Sequence, residues 1–97
     1  MNKKTQTPET EALFKAILSL ETVEECRAFL EDLCTVAEVQ EMGKRLKAAK
    51  MLDSGAKYTE VGEETGLSTA TISRVSRSLK YGADGYTAVL KKLGSDN

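Results

Sequence analysis

The sequence predicts an all-α fold of six short helices, because helix-capping residues recur along it and no segment alternates in the manner of a strand. We expect one domain, with a helical scaffold over residues 7–56, a helix-turn-helix over 57–81 and a last helix over 82–94. Residues 1–6 are expected to form a disordered arm, and residues 94–97 to fray. A length of 97 residues with 40% apolar content excludes a disordered or membrane-spanning chain.

The spacing of capping residues predicts where the scaffold helices begin. In a capping box, a Thr and a Glu three residues later each accept a hydrogen bond from the other's backbone N–H. The three starts are Thr7-Pro8, Thr22 with Glu25, and Thr35 with Glu38. Gly55 is expected to end the third helix. The apolar stripe of that helix is Val39, Met42, Leu46 and Ala49.

The segment Tyr58–Arg77 matches the pattern of a helix-turn-helix. Gly66 is expected at the turn with a positive φ, and Gly62 where the two helices approach each other. Ser68 is placed to cap the second helix. The seam between the helices is expected to be Val61, Leu67, Ile72 and Val75. Gly82 is expected to end the second helix, and Asp84 to cap the last one. The apolar residues of that last helix are Tyr86, Val89, Leu90 and Leu93.

The charge of the chain is divided between its two halves. Residues 1–43 carry −5 and residues 44–97 carry +4, and residues 65–83 contain no Asp or Glu. An acidic half is ordinarily a solvated face, but a basic, acid-free helix is typical of a surface that meets double-stranded DNA. The expected DNA contacts are Ser68, Thr69, Ala70, Thr71, Ser73, Arg74, Arg77 and Lys80.

The same helical pattern has three other interpretations besides DNA binding: a protein-interaction module, a solvated surface hairpin and an enzyme. The alternative is a helix-turn-helix that serves as a protein-interaction module on the transcription machinery, whose binding would lack the salt dependence of counterion release. A surface hairpin with solvated side chains does not explain why the acidic residues stop so abruptly. An enzyme is not expected, because no carboxylate pair, nucleophile with a base, or phosphate loop stands out from the helical pattern.

No cofactor or metal site is expected. The chain has no His, and Cys26 and Cys34 lack the further ligands that zinc requires. Eight residues of helix separate them by ~12 Å, beyond the ~7 Å limit for a disulfide, so both are expected to be free and buried thiols. No segment approaches the ~20 apolar residues of a membrane helix and no signal peptide is visible, so a cytoplasmic location is expected.

Two segments of the chain resemble the Trp repressor family of bacterial DNA-binding proteins. Leu33–Arg45 is similar to the family's threonine-capped helix with Gly and Arg at fixed distances, and Ala70–Lys80 is similar to its recognition helix. The resemblance extends from about Leu33 to Leu93. It implies an all-helical, intertwined homodimer that represses transcription. A dimer also suits the first two helices, whose large apolar side chains exceed what so small a domain buries alone: Phe14, Ile17, Leu18, Phe29 and Leu30.

The resemblance implies a candidate ligand site. Thr35, Arg45, Arg74 and Ser78 match the family positions that contact tryptophan, the corepressor of the founding member. Each also has an ordinary role, as an N-cap, in an ion pair with Glu41, or beside DNA phosphates. Val75 stands where the tryptophan-binding members have glycine, and its branched side chain would occupy space that the indole needs. We therefore expect DNA binding without tryptophan, and leave another small-molecule effector open.

The DNA contacts carry over unevenly from the family. Thr69, Ala70 and Ser73 match its base-facing positions and can touch thymine methyl groups or donate hydrogen bonds. Thr59 and Gly62 stand where the Trp repressor has basic residues. The operator is therefore expected to differ in sequence from that of the Trp repressor.

Overall fold

Six α-helices occupy the described part of the chain, residues 2–94 of this computed structural model, and this range contains no strand. The helices are α1 (Pro8–Leu18), α2 (Val23–Leu33), α3 (Val36–Asp53), α4 (Tyr58–Thr65), α5 (Thr69–Tyr81) and α6 (Gly85–Gly94). The all-α prediction is confirmed. None of these helices is long and apolar enough to cross a membrane. Of the predicted frayed C-terminus, residues 95–97 lie outside the described range.

The N-terminal segment contains one element that the sequence does not predict. A single 3₁₀ turn, Lys3–Thr5, precedes α1 and is capped by the Asn2 side chain, which accepts a hydrogen bond from the Lys4 N–H. Thr7 then caps α1 as predicted, since its hydroxyl oxygen accepts from the Thr10 N–H at 3.2 Å. The turn arises from a local side-chain-to-backbone bond, which leaves no periodic signal in the sequence.

The two predicted capping boxes differ in outcome. At the start of α3, the Thr35 hydroxyl accepts from the Glu38 N–H at 3.1 Å and the Glu38 carboxylate accepts from the Thr35 N–H at 2.8 Å. At the start of α2, Thr22 accepts from the Glu25 N–H at 3.1 Å, but the Glu25 carboxylate accepts from Glu21. The prediction of a capping box at Thr22 is therefore wrong for one of its two hydrogen bonds. The Glu25 carboxylate accepts from the backbone N–H of Glu21, one residue before Thr22.

The chain forms two compact units, one ending at residue 39 and the other beginning at residue 40, so that their border lies within α3. The expected boundary between scaffold and helix-turn-helix, at residues 56 and 57, does not coincide with this border. The second half of α3 supplies Ala48 and Ala49 to the same core as the helix-turn-helix. Their short side chains let the helix approach its neighbours closely.

The first unit buries little of its apolar surface. No side chain in residues 2–39 is buried, and Phe29 and Leu30 are half-buried. Its exposed large apolar side chains are Phe14, Ile17, Leu18, Val23, Leu33 and Val36. Cys26 and Cys34 are free thiols as predicted, but the prediction that both are buried is wrong, since Cys26 is exposed and Cys34 is half-buried.

The second unit has a core built around the helix-turn-helix. The predicted seam residues are all buried and join the two alanines of α3 in one cluster: Val61, Leu67, Ile72, Val75, Ala48 and Ala49. α5 packs against both α4 and α6. From α6, Tyr86 and Leu90 pack against this cluster, while Val89 and Leu93 remain exposed. On α3, Met42 and Leu46 of the apolar stripe also remain exposed in the single chain.

Gly66 forms the turn between α4 and α5. Its φ is 74°, in the left-handed region that glycine adopts at low cost, and its N–H donates to the Gly62 carbonyl at 2.9 Å. The buried Thr65 hydroxyl donates to the Val61 carbonyl and accepts from the Leu67 N–H. Gly62 is not required sterically, because a Cβ there would lie 3.7 Å from Ile72 Cδ1, an ordinary contact.

The remaining helix ends follow the predicted boundaries, with one exception. Gly55 has a φ of 92° just after α3, and Gly82 follows α5, where a Cβ would collide with the Ser78 carbonyl. Asp84 precedes α6 with a φ of 65°, whereas a residue that caps with its side chain has extended backbone. The prediction that the Asp84 side chain caps α6 is therefore wrong. The Asp84 carbonyl accepts from the Ala88 N–H as the helix begins.

Candidate nucleic-acid interface

The predicted DNA-contact residues lie along the side of α5 that faces away from the core. Ile72, Val75 and Ser76 are buried and fix the inner face of the helix. Six of the predicted contacts are exposed: Ser68 at the N-cap and, from the first to the last turn of the helix, Thr69, Ala70, Arg74, Arg77 and Lys80. Ser73 is half-buried at the side of the helix. One continuous outer surface therefore combines small side chains near the N-terminus with cations further along.

Ser68 and Thr71 have a local structural role. The Ser68 hydroxyl oxygen accepts from the Thr71 N–H at 3.2 Å and donates to the Thr71 hydroxyl at 3.1 Å. Thr71 is half-buried. Because these two hydroxyls are hydrogen-bonded to each other, they stabilise the start of α5. The side chains further along the helix are not held by such bonds and can contact a ligand.

The cations of α5 are not neutralised by the protein. The ion pairs of the described range include Arg45 with Glu41 and Lys47 with Glu64, each at 3.5 Å. Arg74, Arg77 and Lys80 form no ion pair within that range. Their charge is therefore available to an external anion.

Three of the four predicted ligand residues lie together. Arg45, Arg74 and Ser78 line a cleft of about 120 Å³ in the second unit. The other residues that line it are Thr71, Val75 and Tyr86. Thr35 belongs to the first unit, where it begins α3 through its capping box. The sequence does not identify Tyr86 as part of this site, because its position in α6 predicts only a core contact.

Most of the side chains that line the cleft are polar, and Val75 is the one aliphatic residue among them. Arg45 Nη2 lies 3.5 Å from Glu41 Oε2, and Arg45 Nε is buried with no hydrogen-bond partner among residues 2–94. Val75, only 3% exposed, belongs to both the cleft and the core. For comparison, an engineered cavity of about 150 Å³ holds benzene. The space beside Val75 is thus smaller than an indole needs.

A second groove lies on the other side of α5. It encloses about 230 Å³ between the first residue of α4 and the second half of α5. Its lining residues are Tyr58, Ser73, Ser76, Arg77, Lys80 and Tyr81. The sequence identifies neither tyrosine as part of a site, although Tyr81 is 82% exposed. An aromatic residue at the end of an amphipathic helix gives no signal that separates a core contact from an exposed one.

The electrostatics at the start of α3 are set by the capping box. Two hydrogen bonds hold the pKa of the Glu38 carboxyl below its ordinary value of 4.5, the larger effect coming from the Thr35 backbone N–H and the smaller from its hydroxyl. The carboxylate also lies in the first turn of the helix, where negative charge is favoured.

A short α4, a turn at Gly66 with a φ of 74° and a capped α5 with an exposed outer face together match the helix-turn-helix class of proteins. The family model of the Trp repressor protein matches residues 8–94. The chain belongs to this family, which is a family of DNA-binding regulators. The resemblance of Leu33–Arg45 and Ala70–Lys80 to the family is confirmed.

The relatives extend this membership over nearly the whole chain. The uncharacterised protein YerC of Bacillus subtilis (strain 168) is 48% identical over 90 residues, 93% of this chain and 86% of that protein. The crystal structure of a TrpR-like protein from Eubacterium eligens ATCC 27750 has a TM-score of 0.92 and 49% identity, covering 96% of each chain. Another crystal structure, from Staphylococcus aureus, has a TM-score of 0.90 and 48% identity, covering 95% of this chain and 92% of that one.

Proposed function

We propose that this protein is a cytoplasmic transcriptional repressor that binds a two-fold operator as a homodimer and does not use tryptophan as its corepressor. The observation that carries the proposal is the outer surface of α5, where Arg74, Arg77 and Lys80 are exposed and free of ion pairs within the described range. Residues 65–83 add no competing carboxylate. Such a surface attracts phosphates through counterion release and presents small side chains to base edges.

Base contacts are assigned to the first half of α5. Thr69, Ala70 and Ser73 are small, and the first two are exposed. In helix-turn-helix proteins the N-terminal residues of the second helix meet base edges in the major groove. Arg74, Arg77 and Lys80 then contact phosphates, which position the helix without specifying sequence.

The apolar surface of the first unit supports the dimer. Leu18 is 83% exposed, and no side chain in residues 2–39 is buried. Exposed apolar groups of this size and number mark an interaction surface. A second copy is the partner that a two-fold operator requires, since it places two α5 helices about one DNA turn apart.

The cleft beside Val75 supports binding without tryptophan. A ligand shifts a conformational equilibrium only through its differential affinity for the two states. With about 120 Å³ beside a buried valine, the cleft lacks the room from which such an affinity for an indole would arise. Arg45, Arg74 and Ser78 leave room for a smaller effector.

The experiment that tests the proposal is a selection of bound sequences from random duplexes, performed with and without millimolar tryptophan. We expect one palindromic sequence to be enriched under both conditions, with an affinity that falls as salt rises. Enrichment of no sequence, together with salt-insensitive capture of a protein of the transcription machinery, would favour a protein-interaction module instead. Enrichment only with tryptophan would contradict the corepressor part of the proposal alone.

A further inference from the structure

We propose that the cleft lined by Arg45 and Arg74 binds the phosphate group of a small molecule, and that this ligand releases the protein from DNA. The cleft is the one of about 120 Å³ beside Val75. Release from DNA rests on the proposed function, since only a protein that binds an operator can be released from it. The direction of this regulation is opposite to that of a corepressor.

The residues that line the cleft offer hydrogen-bond donors. Arg45 and Arg74 bring two guanidinium groups, each a planar fork of N–H donors that suits the oxygens of a phosphate. Thr71, Ser78 and Tyr86 carry the hydroxyl groups of the lining, and no carboxylate is among the described residues that line the cleft. Such a lining favours an anion with several acceptor oxygens.

The Nε–H of Arg45 distinguishes this cleft from a solvated group of cations. Nε is buried and has no hydrogen-bond partner among residues 2–94. The Glu41 carboxylate lies 3.5 Å from Nη2 of the same guanidinium and leaves Nε without an acceptor. A buried donor without an acceptor costs free energy, so buried polar groups are nearly always hydrogen-bonded. A ligand oxygen in the cleft that Arg45 lines supplies the missing acceptor.

The size of the cleft selects a compact ligand. Phosphate has one heavy atom fewer than benzene, which an engineered cavity of about 150 Å³ holds. A volume of about 120 Å³ therefore accommodates the ion and lacks room for an indole. Val75 belongs to the core, so the aliphatic wall of the cleft is fixed. Arg74 and Ser78 are exposed, so the cleft opens to solvent there and the remainder of a phosphate monoester can extend outward.

Arg74 connects the cleft with the proposed DNA surface. It lines the cleft and is also exposed on the outer face of α5. A guanidinium that binds a ligand phosphate has its charge neutralised, so it no longer attracts a phosphate of the DNA backbone. The ligand also places negative charge beside the duplex, which repels it. Occupation of the cleft therefore weakens DNA binding, and DNA weakens ligand binding by the same factor.

The first measurement is ligand binding to the full-length protein without DNA. Isothermal titration calorimetry with inorganic phosphate and with glycerol phosphate, at constant ionic strength, should show one site per chain. Arg45→Gln should lose about tenfold or more in affinity, because it removes the buried donor. Lys47→Gln is the matched control, since Lys47 also pairs with a glutamate at 3.5 Å but lies outside the cleft. Tighter binding of inorganic phosphate would identify the free ion as the ligand, and tighter binding of glycerol phosphate would identify a phosphorylated metabolite.

The second measurement is DNA affinity by fluorescence anisotropy with the selected duplex. Saturating phosphate at constant ionic strength should weaken the wild type about tenfold and lower its salt slope by about one, as expected for the loss of one phosphate contact. Arg45→Gln should bind DNA equally with and without phosphate, and Lys47→Gln should respond like the wild type. Tyr86→Phe removes one hydroxyl from the cleft and should respond less, with the exposed Tyr81→Phe as its control.

Equal release of the wild type and Arg45→Gln by phosphate would overturn the inference, because a general effect of anions does not need the cleft. Absence of phosphate binding, or a DNA affinity that phosphate leaves unchanged or raises, would also overturn it and would leave the proposed function standing. Failure of the wild type to bind any duplex at low salt would overturn both. Circular dichroism checks that Arg45→Gln folds, and Tyr86→Phe gives the same test without the loss of a charge.

Discussion

At the scale of single residues, Val75 has two roles, since it packs in the core and also lines the candidate effector cleft. Its methyl groups complete the core with Val61 and Ile72, and they also wall the cleft beside Arg45. A glycine there would leave both the core and the cleft open. The residue that stabilises the helix-turn-helix is thus also the one that shapes the candidate effector site.

Val75→Ala tests the core role. Removal of two buried methyl groups should lower the free energy of unfolding by about 2–3 kcal/mol, because each buried CH₂ is worth ≈ 0.8 kcal/mol and the cavity adds to the loss. Val89→Ala on α6 is the matched control, since that valine is exposed, and should change it by less than about 0.5 kcal/mol. Urea unfolding at one fixed protein concentration measures both. Equal losses in the two variants would show that Val75 is not a core residue.

Arg77 and Lys80 are expected to act as phosphate contacts. Arg77→Ala and Lys80→Ala should weaken binding to all duplex sequences and each reduce the slope of log affinity against log salt by about one. Lys15→Ala, on α1 of the first unit, is the control and should leave the slope unchanged. The slopes come from anisotropy titrations over a salt series. Wild-type slopes in both α5 variants would mean that this face of the helix points away from the DNA.

At the scale of elements, the start of α3 gives a dependence of stability on pH. The folded protein holds the pKa of Glu38 below the ordinary value of 4.5, so its contribution is complete above that pH and is lost as the pH falls through the folded pKa. We expect the wild type to have a higher Tm than Glu38→Gln at pH 7. The difference should shrink below pH 4.5 and vanish once the carboxyl is protonated. Thermal unfolding of both proteins between pH 7 and pH 2 measures this, and a difference that does not change with pH would contradict it.

The elements also show how far local sequence reasoning extends. Helix starts at Thr7 and Thr35, and the turn at Gly66, depend on contacts within a few residues, so the sequence predicts them well. The return bond of Glu25 and the left-handed backbone at Asp84 depend on which of several nearby geometries is adopted. No capping rule distinguishes those geometries.

The candidate sites show the same division. Spacing along α5 predicts which side chains share its outer face, and the structure has Arg74, Arg77 and Lys80 exposed there. The contributions of Tyr58 and Tyr86 come from other helices, and depend on how α4 and α6 pack against α5. Such contacts between helices leave no periodic signal. For the same reason, the spacing that places Met42 and Leu46 on one apolar stripe of α3 does not predict that both remain exposed in the single chain.

At the scale of the whole molecule, the exposed apolar surface of the first unit predicts a homodimer. Sedimentation equilibrium should show a dimer at micromolar concentration. Leu18→Glu should shift it toward monomer, because a charge would be buried in the interface. Tyr81→Glu is the matched control, since the two side chains are 83% and 82% exposed, and should leave the dimer intact. A folded wild-type monomer at micromolar concentration would remove the basis for a two-fold operator.

The last prediction is that tryptophan does not control DNA binding. Coupling between an effector and DNA equals the free-energy difference between the effector's affinities for the two states, and Val75 fills the space where an indole would gain that affinity. Titration of the selected duplex with the apoprotein should therefore give the same affinity with and without millimolar tryptophan. A gain of tenfold or more, about 1.4 kcal/mol of coupling, would show that the cleft still accepts the amino acid.

Val75→Gly provides the matched comparison for this titration. The substitution opens the space beside Arg45 and Arg74 while leaving their charges in place. If the valine alone excludes the indole, tryptophan should raise the DNA affinity of Val75→Gly and not that of the wild type. If neither protein responds although Val75→Gly remains folded by circular dichroism, the other cleft residues have also lost the amino-acid site. Arg45, with its buried and unpartnered Nε, is then free to serve a smaller effector.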